Sequence, residues 1–320
     1  GYQISGSDSA PSEVTTYLRS IGVTVHDGHR SSNVTEIDVV VISSAIHEDN
    51  PEIAEARRRG IPIIKRAEML GELMRLKFSI GVAGTHGKTT TTSMIGRIFR
   101  QANLHPTLIV GGIVAELGTG ATLGAGDYLI AEADEYDRSF LAMFPTMAVV
   151  LNIEPDHLDC YTDIADLKNA FLTYINRVPF YGSAIVSADD PNIAELRPRF
   201  NRPHATFGFS AEADYRAVEI TMVVGRTTCS VYRRGELMGE LILRVPGRHN
   251  VANALAATAT ATELDIPFAT IADALRGFTG VGRRFELIGE TNGITVIDDY
   301  AHHPTEITAT LRTAKDVYKR

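Results

Sequence analysis

The sequence predicts an α/β fold built on parallel sheets, and three observations carry that reading. Continuous apolar runs such as Asp38-Val39-Val40-Val41-Ile42-Ser43 and Met147-Ala148-Val149-Val150-Leu151-Asn152 alternate with segments of helical spacing, the pattern of strands covered on both faces. A glycine-rich turn, Gly81-Val82-Ala83-Gly84-Thr85-His86-Gly87, joins the apolar Phe78-Ser79-Ile80 to a helix opening on Lys88-Thr89-Thr90. The alternation also starts twice, at the N terminus and again at Phe78 after a break over 72–77, so a domain boundary is expected there.

In the first segment, Tyr2-Gln3-Ile4-Ser5, Thr24-Val25, 38–43 and Ile61-Pro62-Ile63-Ile64 read as strands, with helices near Ser12 to Ser20 and Pro51 to Arg59. This is an incomplete Rossmann-like N-terminal domain, 1–76, lacking its own first strand and phosphate turn. In such folds a glycine fingerprint precedes an acidic residue by about 20 positions, which here would fall before Gly1. Asp8, just past the first strand, stands where that acidic residue bonds a ribose hydroxyl, or else it caps a turn.

From Phe78 the phosphate turn leads into a helix to about Ala102 that places Met94, Ile95, Ile98 and Phe99 on one core-facing side. Strands are expected over 107–110, 128–132, 147–152 and 184–186, and a small antiparallel addition over 206–209, 217–224 and the hairpin-like 228–243. Helices over 249–264 and 267–278 complete a central domain, 77–283. Gly280-Val281-Gly282-Arg283-Arg284 reads as a hinge, and a strand at 294–300 with a helix from Pro304 to Tyr318 begins a third α/β domain, 284–320. The absence of methionine at Gly1 and the ending at Tyr318-Lys319-Arg320 within a helical pattern predict a piece of a longer protein.

At 320 residues and 44% apolar composition the chain is long enough for two or three cores. A net charge of -8 argues against nucleic acid as the main partner, since phosphate backbones require a basic surface. Cys160 and Cys229 form no C-x-x-C pair, which fits a reducing, cytoplasmic setting. No apolar run approaches the roughly 18 residues of a membrane span.

The glycine turn carries the chemistry. Its backbone N–H groups and the following helix N-terminus would wrap phosphate oxygens, Lys88 would reach the outer phosphates from an exposed turn, and the Thr89 hydroxyl would ligate Mg²⁺. The usual phosphate-loop spacing wants glycine at 82, where Val82 stands and Gly81 and Gly84 are offered instead. Glu132 and His157, each at a strand end on the same edge, can add an oxygen and a nitrogen ligand beside a nucleotide γ-phosphate. Histidine is unusual for Mg²⁺ and suggests a second ion or tolerance of Mn²⁺.

Five ordered motifs then carry a family resemblance. Gly84-Thr85-His86-Gly87-Lys88-Thr89-Thr90, Glu132-Ala133-Asp134-Glu135, Asn152-Ile153-Glu154-Pro155-Asp156-His157-Leu158-Asp159, Gly247-Arg248-His249-Asn250-Val251-Ala252-Asn253 and Asp298-Asp299-Tyr300-Ala301-His302-His303-Pro304 follow one another as in the Mur ligases of peptidoglycan synthesis. The similarity covers nearly all of the chain and is strongest to the alanine-adding branch. It implies an enzyme that uses ATP to activate the carboxylate of UDP-N-acetylmuramate as an acyl phosphate, which the amine of L-alanine then attacks. It further implies that residues 84–90, Asn250, Asn253, Arg284 and Asp298 bind ATP. Thr89, Glu132 and His157 would hold metal, Lys88, Glu132 and His157 would act in catalysis, and Asp8, Ser43 and His86 would meet the UDP substrate. Partners would be small molecules only, with the protein a monomer or weak homodimer.

Several Mur ligases carry a carbamylated lysine on the helix after the His157 motif; Phe171 stands at that position, with Lys168 on another face, so no carbamate is expected. The nearest rival reading is a murein-tripeptide ligase of cell-wall recycling, against which residues 154–161 favour the alanine-adding branch. A phosphate-loop nucleotide module without ligase activity is the rival from another class.

Overall fold

The computed structural model describes residues 2–114, 119–156 and 159–318. They divide into two compact units, Gly1–Leu70 and Gly71–Arg320.

In the first unit β1 (Ser5–Asp8), α1 (Glu13–Ser20) and β2 (Thr24–Asp27) form one parallel crossover, and β3 (Val40–Ile42), α2 (Pro51–Arg59) and β4 (Ile63–Lys65) form another. The sequence sets both helices locally. Ser12 and Thr15 close a reciprocal capping box at the start of α1. Asn50 caps α2, Pro51 occupies its first turn, and Gly60 ends it in the left-handed region at φ 70. Among the described residues the four strands make two separate two-stranded sheets, and most of their side chains keep contact with solvent. A sheet covered on both faces is therefore not what forms here. The first strand also begins at Ser5, so Tyr2 and Ile4, which suggested it, lie outside and exposed, and Asp8 becomes its last residue rather than the one beyond it. Pairing decides this: only Ser5–Asp8 finds partners, in register with Thr24–Asp27.

α3 (Arg66–Met74) runs into the first half of the expected break. The second unit then runs β5 (Phe78–Ala83), α4 (Lys88–Gln101), β6 (Thr107–Val114), β7 (Thr119–Thr122), β8 (Tyr128–Glu132), β9 (Met147–Val150), α5 (Ile164–Asn176), β10 (Ser183–Ser187), α6 (Pro191–Leu196) and β11 (His204–Gly208). It continues through β12 (Tyr215–Val223), β13 (Arg226–Arg233), β14 (Glu236–Leu243), α7 (Arg248–Thr262), α8 (Phe268–Arg276), β15 (Glu286–Thr291), β16 (Ile294–Asp298) and α9 (Pro304–Tyr318).

Among the described residues ten of these strands join one sheet, ordered β14-β13-β12-β11-β10-β9-β5-β8-β6-β7. The stretch from β12 to β6 is parallel, and the antiparallel addition is the continuation of that sheet through β13 and β14. The central strands read as uninterrupted apolar runs because both faces are covered: Ile80, Val82, Ile130 and Val149 are fully buried. Met94, Ile95, Ile98 and Phe99 of α4 are fully buried too, each contributing roughly 1.5–3 kcal/mol of transfer free energy. α7 is buried almost all round, and its alanines let it pack closely on α4.

Strand order places the site. β5 lies between β8 and β9; the chain leaves it for β6, returns to β8, and crosses to β9 on the other side. The carboxyl ends of β5, β8 and β9 form the edge at which open α/β sheets bind ligands.

Candidate active site

β5 ends at Ala83, and the first glycine of the turn comes two residues later than the usual spacing would have it. Val82 is a fully buried strand residue, and the first glycine the turn requires is Gly84, at φ 144. Gly87 caps α4 at φ 82, and a Cβ there would lie 2.5 Å from Asn253 Oδ1. The segment after β9 clamps the turn. Asn152 Oδ1 accepts from the His86 N–H at 2.8 Å while its Nδ2 donates to the His86 carbonyl at 3.1 Å, and the Glu154 N–H donates to Thr85 Oγ1 at 2.9 Å. No side chain caps α4, so its first-turn N–H groups remain available to an anion.

Behind the turn Lys88 is neither exposed nor reserved for phosphate. Its side chain is only 12% exposed, and Nζ lies 2.7 Å from Glu135 Oε2 and 3.5 Å from Asp134 Oδ1. As the first residue of α4, Lys88 is turned back over the end of β8, where an ammonium is needed to balance the nearly buried Glu135. Burial works against its charge, but Glu135 and Asp134 outweigh it and hold the pKa above the usual lysine value. Beside it the Thr89 hydroxyl meets both Glu132 carboxylate oxygens at 3.0 and 3.2 Å, and Glu132 Oε2 accepts from the Gly111 N–H at 2.7 Å. A hydroxyl and a carboxylate converging in this way are hard oxygen donors that fit Mg²⁺.

A cavity opens on the other side of the turn, lined by His86, Gly87, Thr89 and Thr90, by Asn250 and Asn253 of α7, and by Arg284, Asp299 and Glu306. Asn250 Nδ2 donates to the Pro246 carbonyl at 2.6 Å, and Asn253 lies one turn further along α7. His249 also lines the cavity, and burial holds its imidazole below the ordinary pKa, leaving it neutral at pH 7. Asp298 faces elsewhere: its carboxylate pairs with Arg283 at 3.3 Å, while Asp299 accepts from the Phe285 and Ala301 N–H groups at 2.8 Å each. Adjacent residues at a strand end point to opposite sides, so the cavity-side acid is Asp299.

His86 is held between two carboxylates, with Nδ1 3.3 Å from Glu306 Oε1 and Nε2 3.5 Å from Glu154 Oε2. Burial opposes its charge, yet Glu306 and Glu154 together raise its pKa. Burial likewise works against the Glu306 carboxylate, but bonds from His86 and the His302 N–H, with Arg284 nearby, bring its pKa down to about 2.

Of the remaining predicted residues, Gly84, Thr85 and Glu132 belong to this edge, whereas His157 lies outside the described residues. Phe171 is fully buried against Phe140, and Lys168 Nζ pairs with Glu195 at 2.7 Å. In the first unit Asp8 and Ser43 are exposed at the carboxyl ends of β1 and β3; Asp8 Oδ1 accepts from the Ala10 N–H at 3.1 Å, a local turn bond. Sequence reasoning passes over Glu135, Asn152, His249, Asp299 and Glu306 as site residues. All but Glu306 stand inside the motifs quoted above, which is the signal that could have found them.

The family model described as Mur ligase middle domain matches residues 82–261, that for Mur ligase family, catalytic domain, matches 1–78, and that for Mur ligase, glutamate ligase domain, matches 283–320. The UDP-N-acetylmuramate--L-alanine ligase of Geobacter sp. (strain M21) is 54% identical over 315 residues, covering 98% of this chain and 68% of that protein. The enzyme of the same name from Geobacter sulfurreducens is 52% identical over 98% of this chain and 68% of its own. Among solved structures, the UDP-N-acetylmuramate-alanine ligase of Thermotoga maritima superposes with a TM-score of 0.83 at 32% identity, covering 99% of this chain and 72% of that one. A murein peptide ligase from Psychrobacter arcticus gives 0.80 at 29% identity, covering 98% and 71%. The chain belongs to the Mur ligase family.

Proposed function

We propose that this chain forms the nucleotide-activating part of an ATP-dependent ligase that joins L-alanine to the carboxylate of UDP-N-acetylmuramate in peptidoglycan synthesis. The observation that carries the reading is the single sheet edge shared by the glycine turn, Lys88, and the Thr89–Glu132 pair. Relatives 54% and 52% identical over 98% of the chain bear the name UDP-N-acetylmuramate--L-alanine ligase, which favours L-alanine over a tripeptide as the amine.

A carboxylate is a poor acylating agent, and phosphorylation supplies the leaving group that an amine can displace. Two anions must first be brought together, so positioning and charge screening are the main tasks of the protein. The uncapped start of α4 and the turn N–H groups would hold the phosphates. Lys88 would exchange its contact with Asp134 for the outer phosphate while Glu135 keeps it oriented. Thr89 and Glu132, with His157 as a further candidate, would hold Mg²⁺, which supplies charge neutralisation when bound, and Mn²⁺ could replace it. Asn250, Asn253 and Arg284 would bound the base and sugar side of the nucleotide. Asp8 and Ser43 would meet the UDP substrate.

The test is phosphate release from ATP by the protein carrying this chain, with UDP-N-acetylmuramate and either L-alanine or L-alanyl-γ-D-glutamyl-meso-diaminopimelate as the amine. Release that requires both UDP-N-acetylmuramate and L-alanine is expected. Release independent of any carboxylate acceptor would identify a nucleotide module instead, and preference for the tripeptide a recycling enzyme.

A further inference from the structure

We infer that His86, Glu154 and His303 form a second cation site, distinct from the Thr89–Glu132 pair and suited to a transition-metal dication such as Zn²⁺. One donor atom from each residue lies within 4.8 Å of the other two. His86 Nε2 is 3.5 Å and His303 Nδ1 3.6 Å from the same atom, Glu154 Oε2. Metal–ligand bonds of ~2.0–2.2 Å in a tetrahedral arrangement place neighbouring donors about 3.3–3.6 Å apart, so these two separations suit donors that share one ion.

The contacts of His86 aim a lone pair into the cluster. His86 Nδ1 faces Glu306, which places the ring proton on that nitrogen and leaves Nε2, buried and without a hydrogen-bond partner, as a bare donor. Glu306 is itself held by Arg284 at 3.4 Å, completing the carboxylate support that orients metal-binding histidines. His303 Nδ1 accepts the Thr305 N–H at 3.4 Å, a long bond that holds the ring beside Glu154 and that a bound ion would replace. The Thr305 hydroxyl fixes Glu154 Oε2 at 2.5 Å. The bare His86 Nε2 lone pair and the Glu154 oxygen repel one another unless something positive lies between them. A proton on His86 is the competing occupant, and the donor set separates the two cases: two nitrogens and one oxygen suit Zn²⁺, whereas Mg²⁺ would favour the oxygens of Thr89 and Glu132.

His86 comes from the glycine turn, Glu154 from the segment after β9, and His303 from the approach to α9. A cation here would tie the region that begins at β15 to the phosphate turn, beside the cavity that His86 and Glu154 line.

Calorimetric titration of the chelator-treated chain with Zn²⁺, without nucleotide, tests the inference. One Zn²⁺ should bind to the wild type and to Glu132→Gln. His303→Ala and Glu154→Gln should weaken binding at least about 100-fold, and Glu306→Gln about tenfold, as expected for a supporting carboxylate. Co²⁺ in place of Zn²⁺ should give tetrahedral visible absorption in the wild type that His303→Ala abolishes, with circular dichroism confirming that the variant is folded. Should His303→Ala fail to fold, Glu154→Gln decides. Unchanged Zn²⁺ affinity in that variant, loss of the ion in Glu132→Gln, or no Zn²⁺ binding to the wild type would overturn the site and leave a protonated His86 as the occupant.

Discussion

The two ends of the glycine turn face different chemistry. At the Lys88 end a permanently charged ammonium and a hydroxyl meet Glu132, Asp134 and Glu135, a set made of oxygens and one fixed cation. At the His86 end a titratable ring meets Glu154, Glu306 and a second imidazole. The same short loop thus supports one site that keeps its charge at every physiological pH and another whose occupant can change between proton and metal. The difference arises from the neighbours: β8 delivers the first group, while the end of β9 and the start of α9 deliver the second.

The largest expected effect lies at the lysine end. Lys88→Ala should lower turnover by about 10³-fold, the scale for removing a preorganised charge-stabilising group. It should also destabilise the fold by about 1–3 kcal/mol by leaving Glu135 without its cation. Burial already pushes the Glu135 carboxyl up. A carboxyl whose folded pKa is raised is stabilising at low pH, so this destabilisation should grow as pH rises through the folded pKa. Thermal unfolding at several pH values reads it, and a pH-independent loss would mean that Glu135 is not the group left uncompensated.

Glu132→Gln should cost up to about 100-fold in turnover, partly restored by excess Mg²⁺, with a modest change in apparent ATP affinity. Equal effects on affinity and turnover would remove the proposed distinction between binding and charge screening.

How far the site was legible in the sequence bears on the weaker effects. The inner strands of the large sheet stand out because burial on both faces makes them continuously apolar, and Lys88, Thr89 and Glu132 stand out because a phosphate turn fixes their order. β7 and β15 carry no such signal; each is short, contains glycine, and pairs with one neighbour. Glu135 and Glu306 look like any surface carboxylate in sequence, since their environment comes from residues 47 and 220 positions away. The choice between Asp298 and Asp299 depended on which side of a strand end faced the cavity, and that needs the register.

At the histidine end, Glu306→Gln in the presence of chelator should lose stability of about 1 kcal/mol within a defined pH window. The depressed Glu306 carboxyl contributes fully above its unfolded value near 4.5 and loses its contribution as pH falls toward about 2. The raised His86 contributes fully below its unfolded value of 6.5 and loses its contribution as pH rises through the folded value. The difference from wild type should therefore be greatest between pH 4.5 and 6.5. A flat difference across that range would show that His86 and Glu306 do not titrate as a pair.

The smallest effect separates neighbours. Asp299→Ala should weaken ATP binding about fivefold by releasing two backbone N–H groups, while Asp298→Ala should stay within about twofold. The reverse order, measured by equilibrium binding, would return the nucleotide-side role to Asp298.

The position of β5 between β8 and β9 also sets a timetable for synthesis. Its β9 partner, Met147–Val150, is translated more than sixty residues after Ala83, which at about 5–20 residues per second is a delay of roughly 3 to 13 s. Both edges of this apolar strand stay open until β8 follows, and one stays open, beside a loop without its Asn152 clamp, until β9 follows. Such a strand invites pairing with other nascent chains, and closing its long-range contacts is an intrinsically slow step. The central strand that positions the phosphate turn is therefore also the segment most in need of protection while the chain is being made.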